Sequence, residues 1–224
     1  MENLVELKIM SLFPKIKICG ITNLADAEKA ILLGADFLGF IQYSKSPRYV
    51  EPSHTTKMLE KLKEFDFQKV LVDVNPEPST LAGYKEQGFD FFQLHFPYDL
   101  PSRYLEEWKD VVGIDKLWLA PKLPPKTEFP SYLTDYASHF VIDTFSEHSF
   151  GGTGKQSDWN EFSSCKQKYP SLKWILAGGL GLDNFRKAME ILNPDIMDFN
   201  SALETEPGKK SHVMLSELFD GLKS

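Results

Sequence analysis

The chain has 224 residues, 42% of them hydrophobic and 25% charged, with a formal net charge of -7. That length suits one alternating α/β domain of roughly 200–250 residues, and the composition excludes a disordered chain. Lysines and arginines are scattered rather than gathered into a stripe, which argues against a nucleic-acid surface, and no run of about 18 apolar residues offers a membrane span. Two cysteines, Cys19 and Cys165, make neither a disulfide framework nor a zinc knuckle, so a reducing cytoplasm is the expected location. Residues 1–14 read as a short leader carrying Glu2 and Glu6, without the apolar core of a signal peptide, and 15–224 as the folded domain.

Taken in chain order, short apolar runs alternate with segments of helical period. Strands are predicted over 15–19, 37–42, 69–74, 91–95, 116–120, 139–143, 172–177 and 195–199. Helices are predicted over 24–33, 52–64, 78–86, 102–109, 131–138, 158–168, 182–192 and 209–222. Asn23 and Gly34 bracket the first helix as N-cap and C-cap. Near-continuous apolar strands separated by helices imply a parallel sheet buried on both faces, and eight such units favour closure into a single (β/α)8 TIM barrel. Asp36, Asp90 and Asp195, each just before a strand, are expected in turns at the stability face.

In such a barrel the catalytic groups stand at the C-terminal strand ends. Those positions here are Cys19, Gln42, Asp73, His95, Asp143, Gly178–Gly179 and Asn200–Ser201. The glycine run 177–181 and the segment 200–202 close strands seven and eight, where backbone amides commonly converge on a phosphate. No GxGxxG and no P-loop lysine occurs, so a phosphorylated small metabolite is expected rather than a nucleotide. Each residue alone has a plainer reading: Gly178–Gly179 as a tight turn, Cys19 as a small buried residue, Asp143 as a loop cap, Arg48 as a solvent arginine. His95 reads as a wall residue, because the other histidines give it no ligand-like spacing.

The segments 17–23 (KICGITN), 34–36 (GAD), 39–40, 44–49 (SKSPRY), 93–95 (QLH), 143–144, 151–155 (GGTGK), 158–159, 177–180 (AGGL) and 206–210 (EPGKK) occur in the order of one family. On these the chain resembles phosphoribosylanthranilate isomerase of tryptophan biosynthesis. The resemblance implies an Amadori rearrangement of N-(5-phosphoribosyl)anthranilate on a (β/α)8 barrel, with neither metal nor organic cofactor. It implies Asp143 as general acid, Cys19 as general base and Arg48 as the partner of the anthranilate carboxylate. Gly178, Gly179, Asn200, Ser201 and Ala202 would line the phosphate. Lys17, two residues before Cys19 on a strand, is expected on the same side and near the thiol. Gly151–Gly154 is expected as a closing loop near the acid.

The chain departs from the family pattern at Gln42, Asp73 and Phe96, and in the strand-eight loop 198–204, DFNSALE where the family usually reads DVSSGVE, with Ala202 in place of glycine. The first three are expected beside the substrate, with Asp73 adding a charge and Phe96 filling space. Ala202 is expected to alter the amide geometry at the phosphate. Two alternatives therefore stand beside the isomerase: a relative acting on a different aminoaldose phosphate, and a non-catalytic barrel binding a phosphorylated metabolite. The chain is read as a monomer or homodimer.

Overall fold

The computed structural model describes residues 13–124, 127–143 and 159–223. Eight parallel strands pair in chain order: β1 (Lys15–Cys19), β2 (Phe37–Ile41), β3 (Gln68–Val74), β4 (Phe91–Pro97), β5 (Leu117–Lys122), β6 (His139–Ile142), β7 (Lys173–Leu176) and β8 (Ile196–Phe199). They form the expected closed barrel, with β8 pairing back onto β1. Around it run α1 (Leu24–Leu33), α2 (Pro52–Lys61), α3 (Pro78–Lys85), α4 (Ser102–Val112), α5 (Trp159–Lys168), α6 (Phe185–Leu192) and α7 (His212–Lys223). No helix among the described residues is long and apolar enough to cross a membrane.

Local sequence sets the element ends. The Asn23 side chain accepts the Asp26 amide at the start of α1, and Gly34, at φ 111°, ends it in the left-handed region where a side chain is disfavoured. The helix expected over 131–138 is instead a 3-10 turn, Ser131–Asp135, because it buries only Leu133 and lacks the apolar stripe that drives a longer helix. The last helix begins at His212 rather than at residue 209, since Glu204–Glu206 and Lys209–Lys210 pair as a hairpin, β9 and β10, with Gly208 in its turn at φ 84°.

Asp36, Asp90 and Asp195 each accept a backbone N–H from the neighbouring strand, from Ile16 at 2.7 Å, Lys69 at 2.8 Å and Trp174 at 3.0 Å. They thus tie β1, β3 and β7 to the following strand at the N-terminal face, as expected of turns there. Inside the barrel that end is floored by Phe37, Phe91, Trp118 and His139. Trp118 stacks on His139 at 5.5 Å and meets Phe37 edge-on at 5.3 Å.

Strand alternation sorts side chains between this lumen and the helix layer. On β2, Phe37 and Ile41 join the inner cluster, whereas Leu38 and Phe40 join the outer one. The same parity corrects three expectations about the substrate pocket. Gln42 donates to Thr55 on α2 at 3.0 Å, and Phe96 packs edge-on against Trp108 on α4 at 5.8 Å. Asp73 accepts the Val74 amide at 2.7 Å and pairs with Tyr84 on α3. All three serve barrel-to-helix packing.

Asp73 carries an energetic cost there. Burial raises its pKa to about 6, against the opposing hydrogen bonds from Val74 and Tyr84. The folded state therefore keeps a proton that the unfolded chain has already lost, so stability falls as pH rises from about 4 to about 6 and stays lower above that range. Asp73→Asn is expected to raise stability at neutral pH by roughly 1–3 kcal/mol and to flatten that dependence, read from urea midpoints across the range. Equal midpoints for the two proteins at neutral pH would contradict the buried-carboxylate cost.

Candidate active site

Lys17 and Cys19 both face the lumen from β1, as alternation predicts. Lys17 is fully buried, and its ammonium donates to Asp198 Oδ2 on β8 at 2.7 Å. It also hydrogen-bonds the Cys19 thiol. Gly39, the β2 partner of Cys19, makes room for this group: a Cβ there would lie 2.8 Å from Cys19 Sγ and 3.2 Å from Lys17 Cε. Burial pushes the Cys19 thiol above the ordinary cysteine value, the Lys17 ammonium pulls it back, and the Asp198 charge adds to the rise. Burial alone would lower Lys17, but Asp198 and then Cys19 carry it above the ordinary lysine value, while burial raises the Asp198 carboxyl against the pull of Lys17.

Arg48 is buried after β2 and grips Glu204 through Nε at 2.9 Å and Nη2 at 2.7 Å. Lys210, on β10, donates to Glu204 Oε1 at 2.8 Å and to Asn200 Oδ1 at 2.9 Å. Gly20, directly after Cys19 and at φ +73°, is where these groups converge. A Cβ on it would meet Asn200 Oδ1 at 2.7 Å and Arg48 Cδ at 2.8 Å. Thr22 donates to the Gly208 carbonyl and Asp26 accepts the Lys210 amide, so the hairpin is latched onto the loop that leaves β1.

Gly178 and Gly179 follow β7 with φ of 84° and 65°, a left-handed pair that side chains disfavour. Asn184 braces that loop, donating to the Gly179 carbonyl at 2.8 Å and accepting the Gly181 amide at 3.0 Å. Ser201 and Ala202 lie in a short 3-10 turn after β8. The two loops meet where Ala202 Cβ stands 2.9 Å from the position a Cβ on Gly181 would take, so Gly181 accommodates the methyl that replaces the family's glycine. Asp143 directly follows β6 and is half-buried; alternation continued from lumen-facing Val141 sets it on the lumen side of the same rim. Cys19, Val141 and Ala177 belong to one packed cluster. The expected closing loop, Gly151–Gly154, lies outside the described residues.

His95 is a wall residue in geometry. It takes a hydrogen bond from Gln93 at 2.9 Å, and burial with the nearby Lys17 charge lowers its pKa to about 4, so it stays neutral. No group of three or more His, Cys, Asp or Glu able to hold a metal ion occurs among the described residues.

A family model described as N-(5′-phosphoribosyl)anthranilate (PRA) isomerase matches residues 16–221. The chain belongs to that family. The N-(5′-phosphoribosyl)anthranilate isomerase of Aquifex aeolicus is 34% identical over 211 residues, covering 94% of this chain and 98% of the relative. The crystal structure of phosphoribosyl anthranilate isomerase from Thermus thermophilus superposes with a TM-score of 0.78 at 27% identity, covering 93% of this chain and 98% of that one. A phosphoribosyl anthranilate isomerase in complex with reduced 1-(o-carboxyphenylamino)-1-deoxyribulose 5-phosphate gives a TM-score of 0.72 at 27% identity, covering 94% of this chain and 98% of that one.

Within this isomerase fold, sequence reasoning missed Asp198, Glu204, Lys210 and Asn184 as site residues. Asp198 had a signal: a carboxylate inside the apolar run 196–199, at lumen parity. Glu204 and Lys210 had none, because 209–210 falls in the predicted last helix and Glu204 in the loop after strand eight, which hides the hairpin that brings them together.

The buried charges predict opposite shifts in thiol reactivity. Lys17→Met removes the ammonium that favours the thiolate, so the pH midpoint of Cys19 alkylation by iodoacetamide is expected to rise by about one unit or more. Asp198→Asn removes the opposing anion, and the midpoint is expected to fall by a similar amount. Shifts in the same direction for both would contradict this electrostatic arrangement.

Proposed function

We propose that this isomerase-family barrel converts N-(5-phosphoribosyl)anthranilate to 1-(2-carboxyphenylamino)-1-deoxyribulose 5-phosphate, a step of tryptophan biosynthesis, by acid–base chemistry between Asp143 and Cys19. The observation that carries this reading is the set of groups on one rim. The Cys19 thiol lies beside the Lys17 ammonium, Arg48 stands next to Gly20, and the glycine loop after β7 meets the turn after β8. Asp143 closes the sixth strand on that rim.

The chemistry assigns each group one task. Asp143 gives its proton to the furanose ring oxygen as the C1′–O bond breaks, and the anthranilate nitrogen lone pair forms the C1′=N bond of a protonated Schiff base. Cys19, as thiolate, removes the C2′ proton, and the released electron pair forms C1′=C2′ while the C=N pair returns to nitrogen. C1′ then takes a proton as the C2′ hydroxyl gives its own up, leaving the ketone. A proton passing from the Cys19 thiol back to the Asp143 carboxylate resets the pair. The oxidation at C2′ equals the reduction at C1′, so the reaction needs no external electron carrier.

Binding divides between the two ends of the molecule. The Arg48 guanidinium offers a planar fork to the anthranilate carboxylate, which a lysine does not match. The amides of Gly178–Gly179 and of Asn200, Ser201 and Ala202 face the phosphate, where left-handed glycines permit close backbone approach.

Positioned proton transfer contributes about 10²–10⁴-fold, so Cys19→Ala and Asp143→Asn are each expected to cut kcat/KM by that order. Loss of substrate fluorescence under steady-state conditions measures it. Rates like those of the unaltered protein in both variants would overturn the acid–base assignment. Preferential turnover of another aminoaldose phosphate would overturn the substrate.

A further inference from the structure

Among the described residues, Arg48 donates from its side chain to Glu204 alone, and only through Nε and one edge of Nη2. A guanidinium has two carboxylate-binding edges, a side-on edge (Nε with Nη2) and an end-on edge (Nη1 with Nη2). Glu204 occupies the side-on edge. It is itself fixed from behind by Lys210 at 2.8 Å and by the Gly208 amide at 3.3 Å, with its side chain only 3% exposed. Gly20 leaves room for the Arg48 stem, since a Cβ there would lie 2.8 Å from Arg48 Cδ.

Lys17 has its own partner in Asp198, whereas Arg48 and Lys210 share the single carboxylate of Glu204, so the guanidinium is not matched one to one. A shared partner of that kind favours an incoming anion in water-poor surroundings. A carboxylate on the end-on edge of Arg48 supplies it without displacing Glu204.

We infer that Glu204 is a positioning residue: by holding the side-on edge of Arg48, with Lys210 behind it, Glu204 presents the end-on edge to the substrate carboxylate and so sets selectivity for a carboxylated aryl amine. This rests on the proposed role of Arg48. It differs from a purely structural role in what it predicts. A structural glutamate affects every substrate alike, whereas a positioning glutamate affects the carboxylated substrate most.

The test compares kcat/KM for N-(5-phosphoribosyl)anthranilate with that for the phosphoribosyl derivative of aniline, which lacks the carboxyl group. The ratio of the two isolates the carboxylate contact in each protein. Glu204→Gln is expected to lower that ratio by about ten- to a hundredfold, the worth of a charged bidentate contact, with most of the change in KM for the carboxylated substrate. Glu204→Asp keeps the buried charge with a shorter reach; it serves if the glutamine variant does not fold, and its ratio is expected between those of the unaltered protein and of Arg48→Met. Arg48→Met separates the two claims. If it leaves the ratio unchanged, the proposed role of Arg48 fails. If it abolishes the ratio while both Glu204 variants keep it, Arg48 binds the carboxylate and the inference about Glu204 alone is overturned.

Discussion

Lys17 and Asp198 are register partners across the β1–β8 seam, and their 2.7 Å contact joins the first strand of the barrel to the last. An ion pair with no exposure on its lysine is a poor source of net stability, because desolvating both charges offsets most of their attraction. Its consequence is positional. The pair favours the register that matches ammonium to carboxylate, since a slip of either strand by one residue would turn its charge toward the apolar helix layer and leave the other unpaired in the lumen. Alternation along β1 sets Cys19 beside Lys17, and the same register sends the end of β1 to the rim where the loops after β7 and β8 meet.

From that seam the site follows by contact. Gly39 leaves room for Sγ, Gly20 lets Arg48 and Asn200 close in, and the β9–β10 hairpin brings Lys210 and Glu204 back over them. Lys17 and Arg48 serve one anion each of the proposed reaction, the Cys19 thiolate and the substrate carboxylate. The thiol pays a desolvation cost that raises its pKa, and Lys17 limits that cost.

How much could be read beforehand depended on parity and on chain reversal. Eight apolar runs with helices between them, the caps of α1 and the three strand-initiating aspartates were all encoded locally, by period, by Gly34 and Asn23, and by Asp before a strand. Lys17 was placed beside Cys19 by counting two residues along a strand. The same count sends Gln42, Asp73 and Phe96 to the helix layer, whereas nearness to the strand ends fixes height along the barrel but not the face. Glu204 and Lys210 were hidden for a different reason. Their partnership depends on a two-strand hairpin around Gly208, and the segment's lysines and serines carry no strand signal that separates it from the start of α7. Residues 144–158 lie outside the described part, so the expected loop near Asp143 has no bearing on this comparison.

The most direct measurement is a crystal structure of this chain with the reduced product analogue, 1-(o-carboxyphenylamino)-1-deoxyribulose 5-phosphate in its reduced form. The account predicts the phosphate on the amides of 178–179 and 200–202, the carboxylate on the free fork of Arg48 with Glu204 still attached, and the sugar chain between Cys19 Sγ and the Asp143 carboxylate. An analogue seated with its reacting carbons out of reach of either Cys19 or Asp143 would contradict it.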